Sequence, residues 1–172
     1  MDRRALRAFR RRRDEAFRTS PHSPIPPAQR RRFRGLAYFP PAPELVFDLV
    51  VEPDTDAAVD LDTSDGRRRR YVRVGRVAFH VEGVAASLLL LGRDDETTLF
   101  LPFRDATTGH ETYGAGRYLD VVVADDGRAR VDFNLAHNPH CAYDHAYSCP
   151  LPPVENWLQV PIRAGERAWA PR

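Results

Sequence analysis

The sequence predicts a mainly β fold, an antiparallel β-barrel or curled β-sandwich preceded by two N-terminal helices. Three observations carry this. From Glu44 onward apolar and polar residues alternate with a period of two. The breaks between the alternating runs hold turn residues, and no helical pattern separates one run from the next. Upstream of Glu44 the apolar spacing is instead three to four residues. At 172 residues the chain fits one domain of roughly 100–200 residues, with 1–34 a basic helical arm and 44–163 the β-rich body.

The first helix is expected over residues 2–18, where Ala5, Leu6, Phe9, Ala16 and Phe17 return on one face. Arg13 falls on that same face, so the apolar stripe is narrow and suits a helix lying along a domain surface. Residues 19–27 (TSPHSPIPP) form a proline-stiffened connector. A short helix follows over 27–33, with Arg30 to Arg32 in its last turn and Gly35 as its stop. Residues 38–43 (YFPPAP) lead away as extended chain. Strands are expected at 45–52, 58–63, 69–74, 76–82, 85–91, 98–101, 118–123, 130–133 and 158–163. The turns between them fall at Asp65-Gly66, Gly75, Gly83, Asp94-Asp95 and Asp126-Gly127. Two segments refuse the pattern, 102–117 and 134–157, both rich in Gly, Pro, His, Tyr and Asn. Long ordered loops of this kind are functional or structural knots rather than slack.

The net charge of +2 hides two unlike parts: residues 1–34 carry +9 and residues 35–172 carry −7. All 26 basic residues are Arg, Ile occurs only at 25 and 162, and Met1 is the sole methionine. That composition reflects GC-rich codons, so the arm's arginines are not evidence of selected phosphate forks. Phe9, Phe17 and Phe33 interleaved with Arg admit a nucleic-acid reading by stacking and phosphate neutralisation. The favoured alternative turns the aromatics to the body and leaves the arginines solvated or facing its acids, because no base-reading motif is present. The longest apolar run, 84–91, stops at Gly92, far short of the ~18–20 residues of a membrane span. No apolar stretch of signal-peptide type follows the charged start, and a cytoplasmic protein is the expectation.

In the first loop, Gly114-Ala115-Gly116 resembles the opening of a dinucleotide fingerprint, but the strand-like residues after it supply no helix N-terminus for a pyrophosphate. Its glycines are read instead as a tight turn or a close backbone approach. Asp105 and Glu111 are the candidate acid–base pair, with Arg104, Tyr113 and Arg117 around them. The competing reading is an Arg–carboxylate lattice that holds the loop closed. In the second loop, His137, His140, Cys141, His145 and Cys149 offer zinc ligands within 13 residues. No CxxC or HxxxH knuckle is present, and Pro139 and Pro150 break any aligning helix, so zinc is the lesser alternative and no cofactor is expected. Cys141 is a candidate nucleophile, against the commoner reading of a buried thiol. A Cys141–Cys149 disulfide is disfavoured in a reducing compartment.

The strings LFLPFRDATTGHETYGAGRYLD and DFNLAHNPHCAYDHAYSCPLPPVENWLQVPIRAGE, with SPIPPAQRRRFRGLAYFP upstream, resemble the prokaryotic domain-of-unknown-function family 1684 over nearly the whole chain. The resemblance brings no established activity. It implies that both cysteines belong to the family pattern, while positions 137 and 140 are Tyr-like there and His145 lies in a variable stretch, which lowers zinc and His-assisted Cys chemistry together. The expected function is a small-molecule-binding protein or enzyme acting on a polar, in its sharper form anionic, ligand. Its pocket would lie between loops 102–117 and 134–156. Asp105, Glu111 and Cys141 would be catalytic; Arg104, Tyr113, Arg117, Asn134, Asn138, Tyr143, Glu155 and Asn156 would bind ligand. The alternative is a non-catalytic interaction module working through the basic arm, with the loops as a structural knot.

Overall fold

A computed structural model describes residues 2–54, 58–92 and 98–170. The helix α1 spans Arg3–Thr19; the Asp2 carboxylate caps it by accepting from the Ala5 N–H at 2.7 Å, and Leu6 and Phe17 are its buried residues. The second helix, α2 (Pro27–Arg30), is a single turn and shorter than its sequence suggests. The Arg30 side chain finishes the connector by donating to the carbonyls of Ile25, Ser20 and Ser23 at 2.8, 3.0 and 3.3 Å. A proline-rich segment with few N–H groups of its own is thus fixed by one guanidinium.

The body is antiparallel. Strand β1 (Val46–Val50) pairs with β8 (Arg128–Asp132), from Val46↔Asp132 to Val50↔Arg128. The second sheet runs β2 (Glu52–Pro53), β4 (Arg68–Val81), β5 (Val84–Gly92), β6 (Leu99–Phe103) and β7 (Arg117–Val121), with β3 (Val59–Asp62) also paired to β4. No closed barrel forms among the described residues; the two sheets make a curled, sandwich-like body. Leu88 and Leu90 face the main core, where Phe47, Phe79, Phe103 and Phe133 meet ring to ring at 4.9–6.1 Å. Leu89 and Leu91 face a second cluster with Leu61 and Tyr71. From Leu88 to Gly92 strand β5 is buried on both faces, which explains its unbroken run of leucines where alternation would otherwise be expected.

Three expectations need correction. The strands expected at 69–74 and 76–82 are one strand, β4, with a bulge between Arg73 and Gly75 rather than a turn at Gly75. A Cβ at residue 75 would lie 2.4 Å from Val51 Cγ1 and 2.8 Å from the Glu52 carbonyl, so the glycine serves close approach of β2. The run expected as one strand over 45–52 is divided between β1 and β2. Residues 158–163 form no strand, although Leu158, Val160 and Ile162 are buried in alternation as a strand would place them. The expected turn at Asp94-Asp95 lies outside the described residues.

The β4–β5 hairpin closes at Glu82-Gly83 between paired Val81 and Val84, and both turn residues have positive φ, 51° and 82°. Such two-residue turns favour Asn-Gly, because a side chain other than Asn or Asp strains in the left-handed region. Glu82→Asn is therefore expected to stabilise the protein by about 0.5–1 kcal/mol, read as a higher midpoint in urea. A lower midpoint would contradict this account of the turn.

Candidate functional site

The Arg117 guanidinium, at the start of β7, is 1% exposed. It donates to the carbonyl oxygens of Ile162 at 2.7 Å, Ala164, and Glu166 at 3.2 Å, and lies 3.4 Å from the Asp105 carboxylate. Asp105 in turn accepts the Ile162 N–H at 2.6 Å and the Thr107 hydroxyl at 2.8 Å. In the 158–163 segment side chains therefore satisfy the Ile162 N–H and carbonyl, while the Leu158 N–H and Val160 carbonyl pair with the backbone of Arg104 and Ala106. Burial pulls the Arg117 pKa down and the Asp105 charge holds it up, leaving a buried but paired cation. Gly116 makes the approach possible: its φ is +91°, and a Cβ there would sit 2.5 Å from the Phe103 carbonyl. This is the close backbone approach expected of the loop's glycines.

Glu166 is the second centre, also 1% exposed. Its Oε1 accepts from Arg13 Nε at 2.6 Å; its Oε2 accepts from the Tyr143 hydroxyl at 2.6 Å and the Asn138 N–H at 2.9 Å. One carboxylate thus joins the arm, the second loop and the C-terminal segment. Arg13 also covers the Phe17 ring at 4.9 Å, and Phe17 meets Tyr143 edge-on at 4.9 Å. The arginine that interrupts the apolar face of α1 is there to reach this carboxylate.

Two asparagines act as inserted peptide groups. Asn134 accepts the Ala42 N–H and donates to the Ala42 carbonyl, both at 2.8 Å. Asn156 does the same to Leu89, at 2.7 and 3.0 Å, and donates to the Pro102 carbonyl at 2.7 Å. Strands β5 and β6 share only the Leu91↔Phe100 register pair, so Asn156 bridges the place where they diverge. Asn138 adds a bond from its amide to the Arg167 carbonyl at 2.9 Å.

The remaining candidates are dispersed. Glu111 accepts from Arg163 at 2.8 Å at the surface, and Glu155 accepts from Arg73 of β4 at 3.1 Å. The Tyr113 hydroxyl donates to the Cys141 carbonyl at 3.3 Å. Cys141 and Cys149 are buried free thiols in contact, with the Cys141 N–H donating to Cys149 Sγ at 3.3 Å. A hydrogen bond from the Cys149 thiol holds Cys141 down to about 6, and the same contact pushes Cys149 up. His137 lies edge-on to Tyr118 at 6.1 Å, its pKa pushed down by burial, and His140 meets Tyr147 at 5.1 Å. His145 is exposed, and among the described residues no group of three or more His, Cys, Asp or Glu could hold a metal ion. Arg104 stacks on the Trp157 ring at 4.7 Å, beside an open cleft of about 340 Å³ lined by Thr108, His110, Leu158 and Gln159.

A family described as a protein of unknown function (DUF1684) matches residues 31–167. The chain belongs to that family. It is similar to the solution NMR structure of an uncharacterized protein of Haloarcula marismortui, at 42% identity and a TM-score of 0.73, over 95% of this chain and 92% of that one. No curated protein matches the chain. No helix of the described residues is long and apolar enough to cross a membrane.

In this DUF1684 chain the sequence singles out Asp105, Arg117, Asn134, Asn138 and Tyr143, but Glu166 escapes it. Its only signal is the odd position of Arg13, a charge on an apolar face that requires a buried partner. Two substitutions separate buried pairing from surface pairing. Arg117→Ala leaves Asp105 and three carbonyls without their donor and is expected to cost about 3–5 kcal/mol in urea unfolding. Glu111→Gln, breaking the exposed pair on the same loop, should cost less than about 1 kcal/mol. Equal losses would refute the distinction.

Proposed function

We propose that the protein is a binding protein for a polar, anionic small molecule, taken up where the 102–117 loop meets residues 157–159. The observation that carries this reading is Arg104 stacked on Trp157, a tryptophan 44% exposed at the edge of the cleft. An exposed Trp–Arg pair gives an anion a guanidinium whose face is already covered, with a flat apolar surface beside it. The Gly114 carbonyl accepts from Arg104 Nη2 at 2.7 Å and fixes the side chain's direction. His110, Thr108 and Gln159 add polar groups around it.

In this reading Asp105, Arg117, Asn134, Asn138, Tyr143 and Asn156 are positioning residues. Most of their polar atoms are engaged by the protein's own backbone and by Glu166, which keeps the loop that carries Arg104 in one conformation. Binding, rather than acid–base turnover, follows from Asp105 being committed to Ile162, Thr107 and Arg117. The second reading, an interaction module, draws on α1, where Arg3, Arg4, Arg7, Arg11 and Arg12 are exposed while Leu6 and Phe17 face inward. Arg4, Arg7 and Arg11 recur at helical spacing and make a cationic stripe suited to a polyanion.

Calorimetric titration with inorganic phosphate tests the first reading. Arg104→Ala is expected to weaken phosphate binding by about tenfold, the loss of one charge-assisted contact. Unchanged affinity in that variant would remove the cleft from the function. If a single-stranded oligonucleotide binds instead, salt-sensitively and through Arg4, Arg7 and Arg11 rather than Arg104, the second reading replaces the first.

A further inference from the structure

A separate cleft of about 610 Å³ lies between the end of the arm and the C-terminal segment, lined by Gln29, Arg32, Phe33, Arg34, Leu36 and Trp169 among others. Its size falls within the roughly 300–1,000 Å³ of small-molecule sites. The walls are pinned on both sides. Arg30 ties down the turn before it through three carbonyls, and the Asp14 carboxylate accepts the Leu36 N–H at 2.9 Å. Opposite, the Arg167 N–H donates to the Ala37 carbonyl at 2.9 Å and the Ala168 N–H to the Glu111 carbonyl at 3.0 Å. A cleft held this way needs little reorganisation to accept a ligand.

Its chemistry is divided. Phe33 is buried against Phe17 at 6.2 Å, and Trp169 packs on Tyr143 at 5.5 Å, so aromatic carbon meets the cleft from both walls. Arg32 and Arg34 are exposed and meet no carboxylate among the described residues. The acids nearby are engaged elsewhere: Asp14 with Leu36, Glu15 with Arg18 and Glu111 with Arg163. Arg34 spends one N–H on the Arg31 carbonyl at 3.2 Å and keeps its other donors, so two guanidiniums free of carboxylates stand beside a pair of aromatic walls and suit a charged head on a flat body. Guanidinium forks recognise carboxylate and phosphate alike.

We propose that this cleft binds a small organic anion with a flat apolar body, an aromatic carboxylate or phosphate ester. The site is distinct from the Arg104–Trp157 cleft and shares no side chain with it.

The test uses 2-naphthoate as probe and the full chain carrying W157F, which leaves Trp169 as its single tryptophan. Saturable quenching of Trp169 fluorescence by 2-naphthoate is expected. The R32A/R34A double variant, and the neutral probe 2-naphthalenemethanol, should each weaken binding by about tenfold or more. Because both arginines are exposed, circular dichroism should show the variant folded; if it does not, the salt dependence of 2-naphthoate binding to the W157F chain substitutes for it, with affinity expected to fall as salt rises. No saturable change at Trp169, equal affinity in R32A/R34A, or salt-independent binding would each overturn the proposal. R104A provides the separation from the other cleft: it should leave 2-naphthoate binding intact, and a loss there with R32A/R34A unaffected would overturn the assignment.

Discussion

The rest of this structure depends on a buried guanidinium. Arg117 sits at the start of β7 and gathers the carbonyls of Ile162, Ala164 and Glu166 onto Asp105. Removing an arginine from water costs several kcal/mol, and only near-complete pairing offsets it. The three carbonyls and the carboxylate supply that pairing, and they belong to chain segments joined to their neighbours by isolated bridges, such as Arg104 with Trp157 and Glu166 with Tyr38, rather than by a strand ladder. The cation and the irregular backbone solve each other's solvation problem. Neither is stable in this place without the other.

From there the order spreads outward by the same device. Glu166 follows directly on the segment that Arg117 holds, and its carboxylate reaches Arg13 on the arm, Tyr143 and the Asn138 backbone on the second loop. Asn134 and Asn156 place amide groups where the sheet has none to offer, at Ala42 and between β5 and β6. Loops held by buried polar side chains are costly to perturb, and they leave the exposed groups beside them in fixed positions. This is what makes Arg104 and Trp157, or Arg32 and Trp169, suitable as ligand contacts: their surroundings are settled before a ligand arrives.

Much of the architecture is legible in the sequence, for physical reasons that also mark where legibility ends. The Leu6 and Phe17 face, the alternating burial of β4 from Gly75 to Val81 and the Gly66, Gly83 and Gly127 turns obey local rules of periodicity and backbone sterics. Residues 158–163 obey the same periodicity, burying Leu158, Val160 and Ile162, yet form no strand. Periodicity reports which side chains face inward; it does not report whether another strand or a buried side chain satisfies the backbone. For Gly75 the sequence shows a breaker, and only the approach of Val51 and Glu52 reveals a bulge. The polar density of the two loops was visible, but density alone could not tell residues that bind the chain's own backbone from residues left over for a ligand. Glu166 leaves no mark in the sequence beyond the misplaced charge of Arg13, because its partners lie 23 to 153 residues away.

Buried side chains take the place of a strand ladder in holding the loops. Native-state amide hydrogen exchange reads it directly, because the Ile162, Asn138 and Leu89 N–H groups donate to the side chains of Asp105, Glu166 and Asn156. If the claim holds, these three amides exchange only through global unfolding, with the same opening free energy as the β4–β5 ladder. Exchange of Ile162 and Asn138 through local openings several-fold more frequent than those of the ladder would contradict it.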